Sequence, residues 1–249
     1  MILQITKQSV QRVLNSLGYR MERIKPNSVS PHQTSPPSPL VEWLRSMNIK
    51  TVIDVGGHCG ESALWYNKAL PDARIYSFEP LQDCFSQLIS NIKNIPNCQG
   101  FNFALGEDDG EQVIYRSSFT GSSSLLNMDT LHKTLYPFSA DISTETVKVR
   151  SLDSIAEELS LEPNILLKMD VQGFEDRVLK GGQDALLSVK IVLSEVLFQP
   201  LYEEQANFAD IYKCLLEKGF VFRGTWAGYE KRSPMNGLPV YCDALFLKE

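Results

Sequence analysis

A glycine-rich turn between a predicted strand and a predicted helix constrains the fold of this chain most strongly. Residues 54–60 read Asp-Val-Gly-Gly-His-Cys-Gly, after the apolar run 51–53 and before a helical pattern at 61–70. Glycine has no side chain and tolerates positive φ, so such a turn lets a ligand approach the backbone. A second predicted strand, 74–78, precedes Glu79. Since an acid about 20 residues beyond a glycine turn commonly accepts ribose hydroxyls, the two features predict a nucleoside site.

The residues of the turn indicate which nucleoside cofactor binds. Gly56, Gly57 and Gly60 do not match the G-x-G-x-x-G pattern of dinucleotide-binding proteins. A pyrophosphate would also be repelled by the carboxylate of Asp54. S-adenosylmethionine carries an ammonium, a sulfonium and one carboxylate but no phosphate, and it complements acids at Asp54 and Glu79. We therefore expect S-adenosylmethionine, with NAD(P) as the alternative and a turn that binds no ligand as a third interpretation.

Strands and helices alternate along most of the chain. This alternation predicts an α/β fold with a mostly parallel sheet and helices on both faces. The predicted strands span residues 51–55, 74–78, 99–104, 164–169, 190–196, 219–225 and 240–247. The predicted helices span residues 41–47, 60–70, 82–94 and 203–218.

The connection between the third and fourth of these strands is unusually long. Residues 112–115 and 146–150 resemble strands, residues 151–159 resemble a helix, and 117–144 is rich in Ser, Thr and Leu. A segment of this length inside a compact domain is more often functional than idle. We therefore predict a lid-like insertion at about 111–150.

The N-terminal region differs from the rest of the chain. Residues 1–25 form a basic amphipathic pattern that predicts a helical arm, and 26–40 is a Pro/Ser-rich linker to a domain at 41–249. The arm has no Trp or Phe anchors, which favours packing on protein over peripheral contact with a membrane surface. Its apolar start, 1–5, is too short to span a membrane.

Composition excludes several classes of function. A formal net charge of −6 argues against a large nucleic-acid-binding surface. The five cysteines are odd in number and contain no C-x-x-C pair, which argues against a zinc site and against a disulfide framework. We therefore expect reduced thiols and a cytoplasmic protein. The oligomeric state does not follow from the sequence.

Acids recur where the predicted strands end. They are Asp54, Glu79, Asp170 and Glu195. Ligands of open α/β sheets bind outside the carboxyl ends of the strands, so these acids should share one edge. Half-buried acids are costly without a partner. Lys168 points to the same side of its strand as Asp170, and either a structural ion pair or a catalytic role fits it.

The whole pattern resembles the FkbM-like family of S-adenosylmethionine-dependent methyltransferases over about residues 41–247. The motifs that carry the resemblance are Ile-Asp-Val-Gly at 53–56 with Gly60, Phe-Glu-Pro at 78–80, Asn-Phe-Ala-Leu-Gly at 102–106, Leu-Asp at 152–153, Leu-Lys-Met-Asp-Val-Gln-Gly-Phe-Glu at 167–175, and Val-Leu-Lys-Gly at 178–181. The resemblance implies a Rossmann-like class I methyltransferase fold, whose seven-stranded sheet has its last strand antiparallel. It implies methyl transfer to a hydroxyl of a sugar, glycan, polyketide or other secondary metabolite. The chain departs from relatives at Gly57-His58-Cys59, where Ala-Asn-x is common.

The cofactor roles follow from this assignment. Gly56, Gly57 and Gly60 should lie against the methionine part of the cofactor, and Asp54 should hold its ammonium directly or through water. Glu79 should accept the ribose hydroxyls. In this scheme Ala104, at the end of the third predicted strand, lies near the adenine.

On the acceptor side, Asp170 is the first candidate, with Glu195 and Lys168 beside it. As a general base, Asp170 would take the hydroxyl proton during attack, which typically contributes 10²–10⁴-fold. Alternatively, Asp170 and Glu195 would hold Mg²⁺, with Glu175 as a third ligand or as the start of the next helix. No dedicated protein metal centre is predicted.

Other side chains remain open at this stage. His58 and His132 are alternative bases, and His132 is expected to be solvated within the insertion. Four aromatic residues would line the acceptor pocket or pack in the core: Phe198, Tyr202, Trp226 and Tyr229. Ser122, Ser123 and Ser124 would bind acceptor hydroxyls or cap a turn. A non-catalytic module that binds the cofactor is the main alternative function.

Overall fold

A computed structural model describes residues 38–249, except for the side chains of residues 227–229. The predicted helical arm at 1–25 and most of the predicted linker at 26–40 lie outside the described residues. In the part described, no helix combines the length and the apolar character needed to cross a membrane.

The central element is a seven-stranded sheet in the order β3-β2-β1-β7-β8-β10-β9. Its strands are β1 (Thr51–Val55), β2 (Arg74–Phe78), β3 (Cys98–Phe101), β7 (Ile165–Met169), β8 (Val189–Leu197), β9 (Phe220–Arg232) and β10 (Pro239–Lys248). The first five of these strands pair in parallel, whereas β10 pairs antiparallel with both β8 and β9. The predicted fold, with the last strand of the chain antiparallel, is confirmed.

A second, three-stranded sheet in the order β4-β6-β5 is built by the insertion. Its strands are β4 (Ala104–Gly106), β5 (Gly110–Ser117) and β6 (Ile142–Ser151). The two strands predicted within the insertion are therefore present and longer than predicted. The long antiparallel pairing of β5 with β6 anchors the loop between them, in which Met128 forms a bridge with Tyr202 beyond the end of β8.

Helices cover both faces of the main sheet. They are α1 (Pro39–Ser46), α2 (Glu61–Ala69), α3 (Gln82–Ile92), α4 (Thr130–Leu135), α5 (Leu152–Ala156), α6 (Glu175–Lys180) and α7 (Phe208–Glu217). Every residue of β1 is buried, as expected for a strand covered on both sides. Successive side chains alternate between the two faces: Ile53 and Val55 join one core cluster, and Val52 joins the other.

Several predicted boundaries differ from the structure: the strand predicted at 219–225 continues to Arg232, and the helix predicted at 151–159 ends at Ala156. Two further differences have local reasons. The helix predicted at 203–218 begins only at Phe208, because Asn207 and Asp210 form a capping box that fixes its first turn. The strand predicted at 99–104 ends at Phe101, because the Asn102 side chain leaves the sheet and donates to the carbonyls of Glu79 and Pro80, each at 3.0 Å.

Candidate active site

The glycine turn packs tightly against protein as well as facing a cavity. Gly56 has φ +76°, and a Cβ there would lie 2.0 Å from the carbonyl oxygen of Asp170. A Cβ on Gly57 would lie 2.0 Å from the hydroxyl of Ser77. Both glycine amides donate to the Phe78 carbonyl, at 3.1 and 2.9 Å. The sequence suggested that these amides are open to a ligand, whereas they join β1 to β2.

His58 occupies the left-handed region within the same turn, with φ 46°. This conformation is uncommon for residues other than glycine and concentrates at functional sites. The backbone N–H of His58 donates to Glu79 Oε2 at 3.0 Å, and the N–H of Leu81 donates to Glu79 Oε1 at 2.8 Å. Glu79 is buried, and this burial raises its pKa to about 7.

A cavity, termed the first cavity, opens at the carboxyl edge of the main sheet and carries most of the predicted site residues in its wall. Those that line it are Gly56, Gly57, Glu79, Ala104, Lys168 and Asp170. Apolar walls come from Leu105, Ile114, Leu125 and Phe174, and the insertion adds Thr120, Gly121, Ser123 and Ser124. Asp54, Gly60 and Glu195 are not among its lining residues.

Asp54 and Lys168 form a buried ion pair behind the first cavity. Lys168 Nζ lies 3.2 Å from Asp54 Oδ1 and also donates to the Gly56 carbonyl at 2.9 Å. The Ser77 hydroxyl donates to Asp54 Oδ2 at 2.8 Å. Asp54 is fully buried and its charge is compensated by Lys168. The repulsion of a pyrophosphate by Asp54, which the sequence suggested, is therefore weakened.

Gln172 joins the two acids of the acceptor side. Its Nε2 donates to Asp170 Oδ1 at 2.8 Å and to Glu195 Oε1 at 2.9 Å. The hydroxyl of Tyr202 donates to Gln172 Oε1 at 2.8 Å. Gln172 has φ 56°, so it is held in a conformation unusual for a residue with a side chain. Gln172 was not among the predicted site residues, although it lies within the motif at 167–175.

The network continues to a histidine of the insertion. His132 Nε2 lies 3.3 Å from the Tyr202 hydroxyl, and the ring packs between Tyr136 and Tyr202. The expectation of a solvated His132 is wrong, because α4 packs this ring against Tyr202. Burial lowers the pKa of His132 to about 4, so the ring is neutral at pH 7.

A second cavity adjoins the first. The residues that line both are Glu61, Ser62, Lys168 and Asp170. The residues that line only the second are Trp65, Tyr66, Met169, Leu193, Glu195, Trp226 and Asp243. The two tryptophan rings meet edge to face, with centroids 6.2 Å apart. Four carboxylic acids and one lysine therefore surround an aromatic wall.

Asp243 is a second residue that the sequence analysis missed. It lies opposite Glu195 in the register of β10 and β8. Burial, then the charge of Asp170, raises its pKa to about 6. The pKa of Glu195 is raised well above its ordinary value, by burial first and then by Asp170. The sequence did contain a signal for this residue, because Asp243 is an acid among the alternating apolar residues of the strand predicted at 240–247.

The other predicted acceptor residues divide among the second cavity, the core, where Tyr202 is buried, and the surface, where Phe198 is 42% exposed. Trp226 lines the second cavity, whereas Phe198 packs on Phe208 with ring centroids 5.7 Å apart. Tyr229 lies outside the described side chains. Ser124 donates to the Gln172 carbonyl at 2.8 Å, so it holds the loop after β7.

The geometry does not support the expectation of Mg²⁺. The Gln172 Nε2 donor binds Asp170 Oδ1 and Glu195 Oε1 and so takes the place of a cation that would bridge these two oxygens. The expected third ligand, Glu175, accepts from the backbone N–H groups of Val171 and Gly173, at 3.0 and 3.3 Å. In the described part of the chain, these acids do not belong to any group of three potential ligand side chains that converge.

Comparison with known proteins identifies the family. The sequence model of the family described as methyltransferase FkbM domain matches residues 54–222 of this chain. The chain belongs to the FkbM methyltransferase family. The chain is therefore an S-adenosylmethionine-dependent methyltransferase, as its sheet topology also indicates.

Similar proteins include two curated methyltransferases. The 2-O-methyltransferase NoeI of Sinorhizobium fredii (strain NBRC 101917 / NGR234) is 28% identical over 173 residues, which cover 66% of this chain and 70% of NoeI. The hexuronic acid methyltransferase AglP of Haloferax volcanii is 29% identical over 147 residues, which cover 57% of this chain and 54% of AglP. Among solved structures, the magnesium protoporphyrin IX methyltransferase ChlM from Synechocystis PCC 6803 is 11% identical and covers all of both chains with a TM-score of 0.45.

Proposed function

We propose that this methyltransferase transfers the methyl group of S-adenosylmethionine to a hydroxyl oxygen of a sugar. The observation that carries the proposal is the second cavity, which adjoins the first and shares Lys168 and Asp170 with it. An acceptor in the second cavity lies next to a cofactor in the first. Such in-line placement contributes roughly 7–11 kcal/mol to methyl transfer without a covalent intermediate.

The first cavity suits the cofactor in shape and chemistry. When bound, S-adenosylmethionine supplies an electrophilic methyl group on a sulfonium. Gly56 and Gly57 give the wall a close backbone surface, and Glu79 supplies an acceptor for the ribose hydroxyls. Ala104 and its apolar neighbours provide a surface for the adenine. Lys168 neutralises Asp54 and positions the turn through the Gly56 carbonyl, so we assign it a positioning role. Asp54 and Gly60 support the turn from behind.

Asp170 is the proposed general base. It lines both cavities, its side chain is 42% exposed, and Gln172 orients it through Oδ1. The carboxylate would receive the hydroxyl proton as the acceptor oxygen attacks. Glu195, held by the same amide, would accept a hydrogen bond from the acceptor. This assignment needs no Mg²⁺, and added Mg²⁺ should leave turnover unchanged.

The lining of the second cavity indicates the class of sugar. Tryptophan faces pack against the C–H surfaces of sugar rings, and carboxyl groups accept hydrogen bonds from sugar hydroxyls. Among the described lining residues the acids outnumber the one lysine, so this cavity disfavours an anionic acceptor even though burial raises the pKa of Glu195 and of Asp243. Lys168 is moreover already paired with Asp54. We therefore favour a neutral or amino sugar over a uronic acid.

The similar proteins support an oxygen acceptor and a sugar. NoeI is named for transfer to a 2-O position, and AglP for a hexuronic acid. A preference of this chain for neutral or amino sugars would separate it from AglP by the electrostatics of one cavity.

The experiment is methyl transfer from radiolabelled S-adenosylmethionine to neutral, amino and uronic acid glycosides. Neutral or amino sugars should be methylated at oxygen, and Asp170→Asn should lower kcat with little change in cofactor affinity. Cofactor binding without transfer to any sugar would refute a sugar acceptor. Methylation of uronic acids in preference to neutral sugars would refute the electrostatic argument.

A further inference from the structure

Three potential metal ligands converge at the rim of the first cavity, apart from the acids of the acceptor side. They are His58 and Cys59 of the glycine turn and Cys84 of α3. Their ligand atoms lie within 4.8 Å of one another, and Cys59 Sγ is 3.9 Å from His58 Nε2. The sequence argued against zinc because no C-x-x-C pair exists, but the fold brings together two cysteines that are far apart in the chain.

The spacing is close to that of a tetrahedral zinc site. With Zn–S near 2.3 Å and Zn–N near 2.0–2.1 Å, the ligand atoms of such a site lie about 3.5–3.8 Å apart. The three ligand atoms therefore need to move by only about 1 Å or less to reach that geometry. Thr120 Oγ1 lies 2.8 Å from His58 Nε2, so the histidine would exchange this hydrogen bond for a bond to the ion.

The surroundings of His58 favour a metal ligand. Glu61 Oε2 lies 3.6 Å from its Nδ1, on the side of the ring away from the thiols. A carboxylate in that position favours the tautomer with the proton on Nδ1, which leaves Nε2 as an acceptor that faces the Thr120 hydroxyl at 2.8 Å and lies 3.9 Å from Cys59 Sγ. A carboxylate hydrogen-bonded to Nδ1 orients many zinc-binding histidines, and Glu61 lies just beyond that distance.

The two thiols can be reached by an ion. Zinc displaces the protons of the cysteines that it coordinates. Cys59 is partly exposed, which gives an ion a path to the site.

We propose that His58, Cys59 and Cys84 bind a soft divalent cation, Zn²⁺ being the best match of ligand type and geometry. The ion would tie the glycine turn to α3 at the rim of the first cavity, where His58 and Thr120 already form part of the wall. It would lie outside the methyl-transfer chemistry, so the proposal stands or falls independently of the sugar acceptor.

The test uses reduced, tag-free full-length protein and Co²⁺ as a spectroscopic probe, followed by competition with Zn²⁺. Wild type should show a near-ultraviolet cobalt–thiolate charge-transfer band that Zn²⁺ removes. Cys59→Ser and Cys84→Ser should each lose the band and bind Zn²⁺ at least tenfold more weakly. Cys98→Ser is the matched control, because Cys98 is a partly buried cysteine outside the cluster, and it should behave as wild type.

A fourth variant tests the histidine. His58→Asn keeps the left-handed backbone, which asparagine tolerates, and should weaken Zn²⁺ binding at least tenfold. The absence of a thiolate band in folded wild type would overturn the proposal. So would a band that survives both cysteine substitutions, or unchanged Zn²⁺ affinity in His58→Asn. If Cys84→Ser fails to fold, the partly exposed Cys59→Ser decides the question.

Discussion

Glu79→Gln should abolish a pH dependence of cofactor binding that the wild-type protein shows. The carboxyl group is buried and its pKa is raised to about 7. Its two oxygens accept from the N–H groups of His58 and Leu81, and only the ionised form also offers its full set of lone pairs to the ribose hydroxyls. Cofactor affinity should therefore rise with pH as the carboxyl group ionises through about 7.

The magnitude follows from this pKa. If binding requires the ionised form, the dissociation constant at pH 6 exceeds its high-pH limit by a factor of 1 + 10^(7−6), about tenfold, and at pH 8 the excess nearly vanishes. Glutamine cannot ionise, so the variant should show no such slope. It also offers one acceptor oxygen to two N–H donors, and the unsatisfied donor should cost ~1–3 kcal/mol of stability.

The assay is calorimetric titration with S-adenosylhomocysteine between pH 6 and pH 8. Glu175→Gln is the matched control, because Glu175 is equally buried, accepts from two backbone N–H groups and has a pKa raised to about 7 by burial. It does not line the first cavity. The control should lose stability but retain the pH slope. A wild-type affinity that is flat over this range, or a slope retained in Glu79→Gln, would refute the reasoning.

The remaining predictions concern the ion pair, the acceptor and the buried acids. Lys168→Met should cost ~3–5 kcal/mol in urea denaturation, because Asp54 stays buried without a cation, and adding Asp54→Asn should restore most of that loss. Unchanged stability of the single variant would contradict this. Trp226→Ala should raise the acceptor KM about threefold to tenfold without changing cofactor affinity, whereas Phe198→Ala, outside both cavities, should not. Buried acids with raised pKa, Glu79 among them, stabilise the fold below their unfolded pKa, and this contribution is lost as pH rises through about 7. The cofactor-free melting temperature should therefore fall between pH 5 and pH 8, and a rise would count against the raised pKa values.

The parts of the fold that the sequence predicted correctly are those set by short local sequence patterns. The predicted bounds of β1 and β2, 51–55 and 74–78, agree with the structure. Both strands are short apolar runs that end at turn residues, and these signals act over a few residues. One boundary error arose where a side chain left the sheet, as Asn102 does at the end of β3.

The sequence predicted which edge of the main sheet carries the site, but not which side chains meet there. Parallel strands place their carboxyl ends together, so the sequence could bring Glu79 and Asp170 to one cavity. It could not show that Gln172 would hold Asp170 and Glu195. The position of that amide depends on a left-handed backbone conformation and on the packing of Tyr202.

Sequence alone therefore determined the fold class, the family resemblance, the cofactor and the edge of the sheet at which chemistry occurs, because strand period, turn residues and strand-end acids are local properties of the chain. Only the tertiary structure decided which side chains meet. The neutralisation of Asp54 by Lys168, the facing of Asp243 and Glu195, and the approach of Cys59 to Cys84 each join distant segments. Such contacts depend on strand register and helix packing to within about an ångström, since hydrogen bonds and ion pairs require that precision, and no local pattern encodes it.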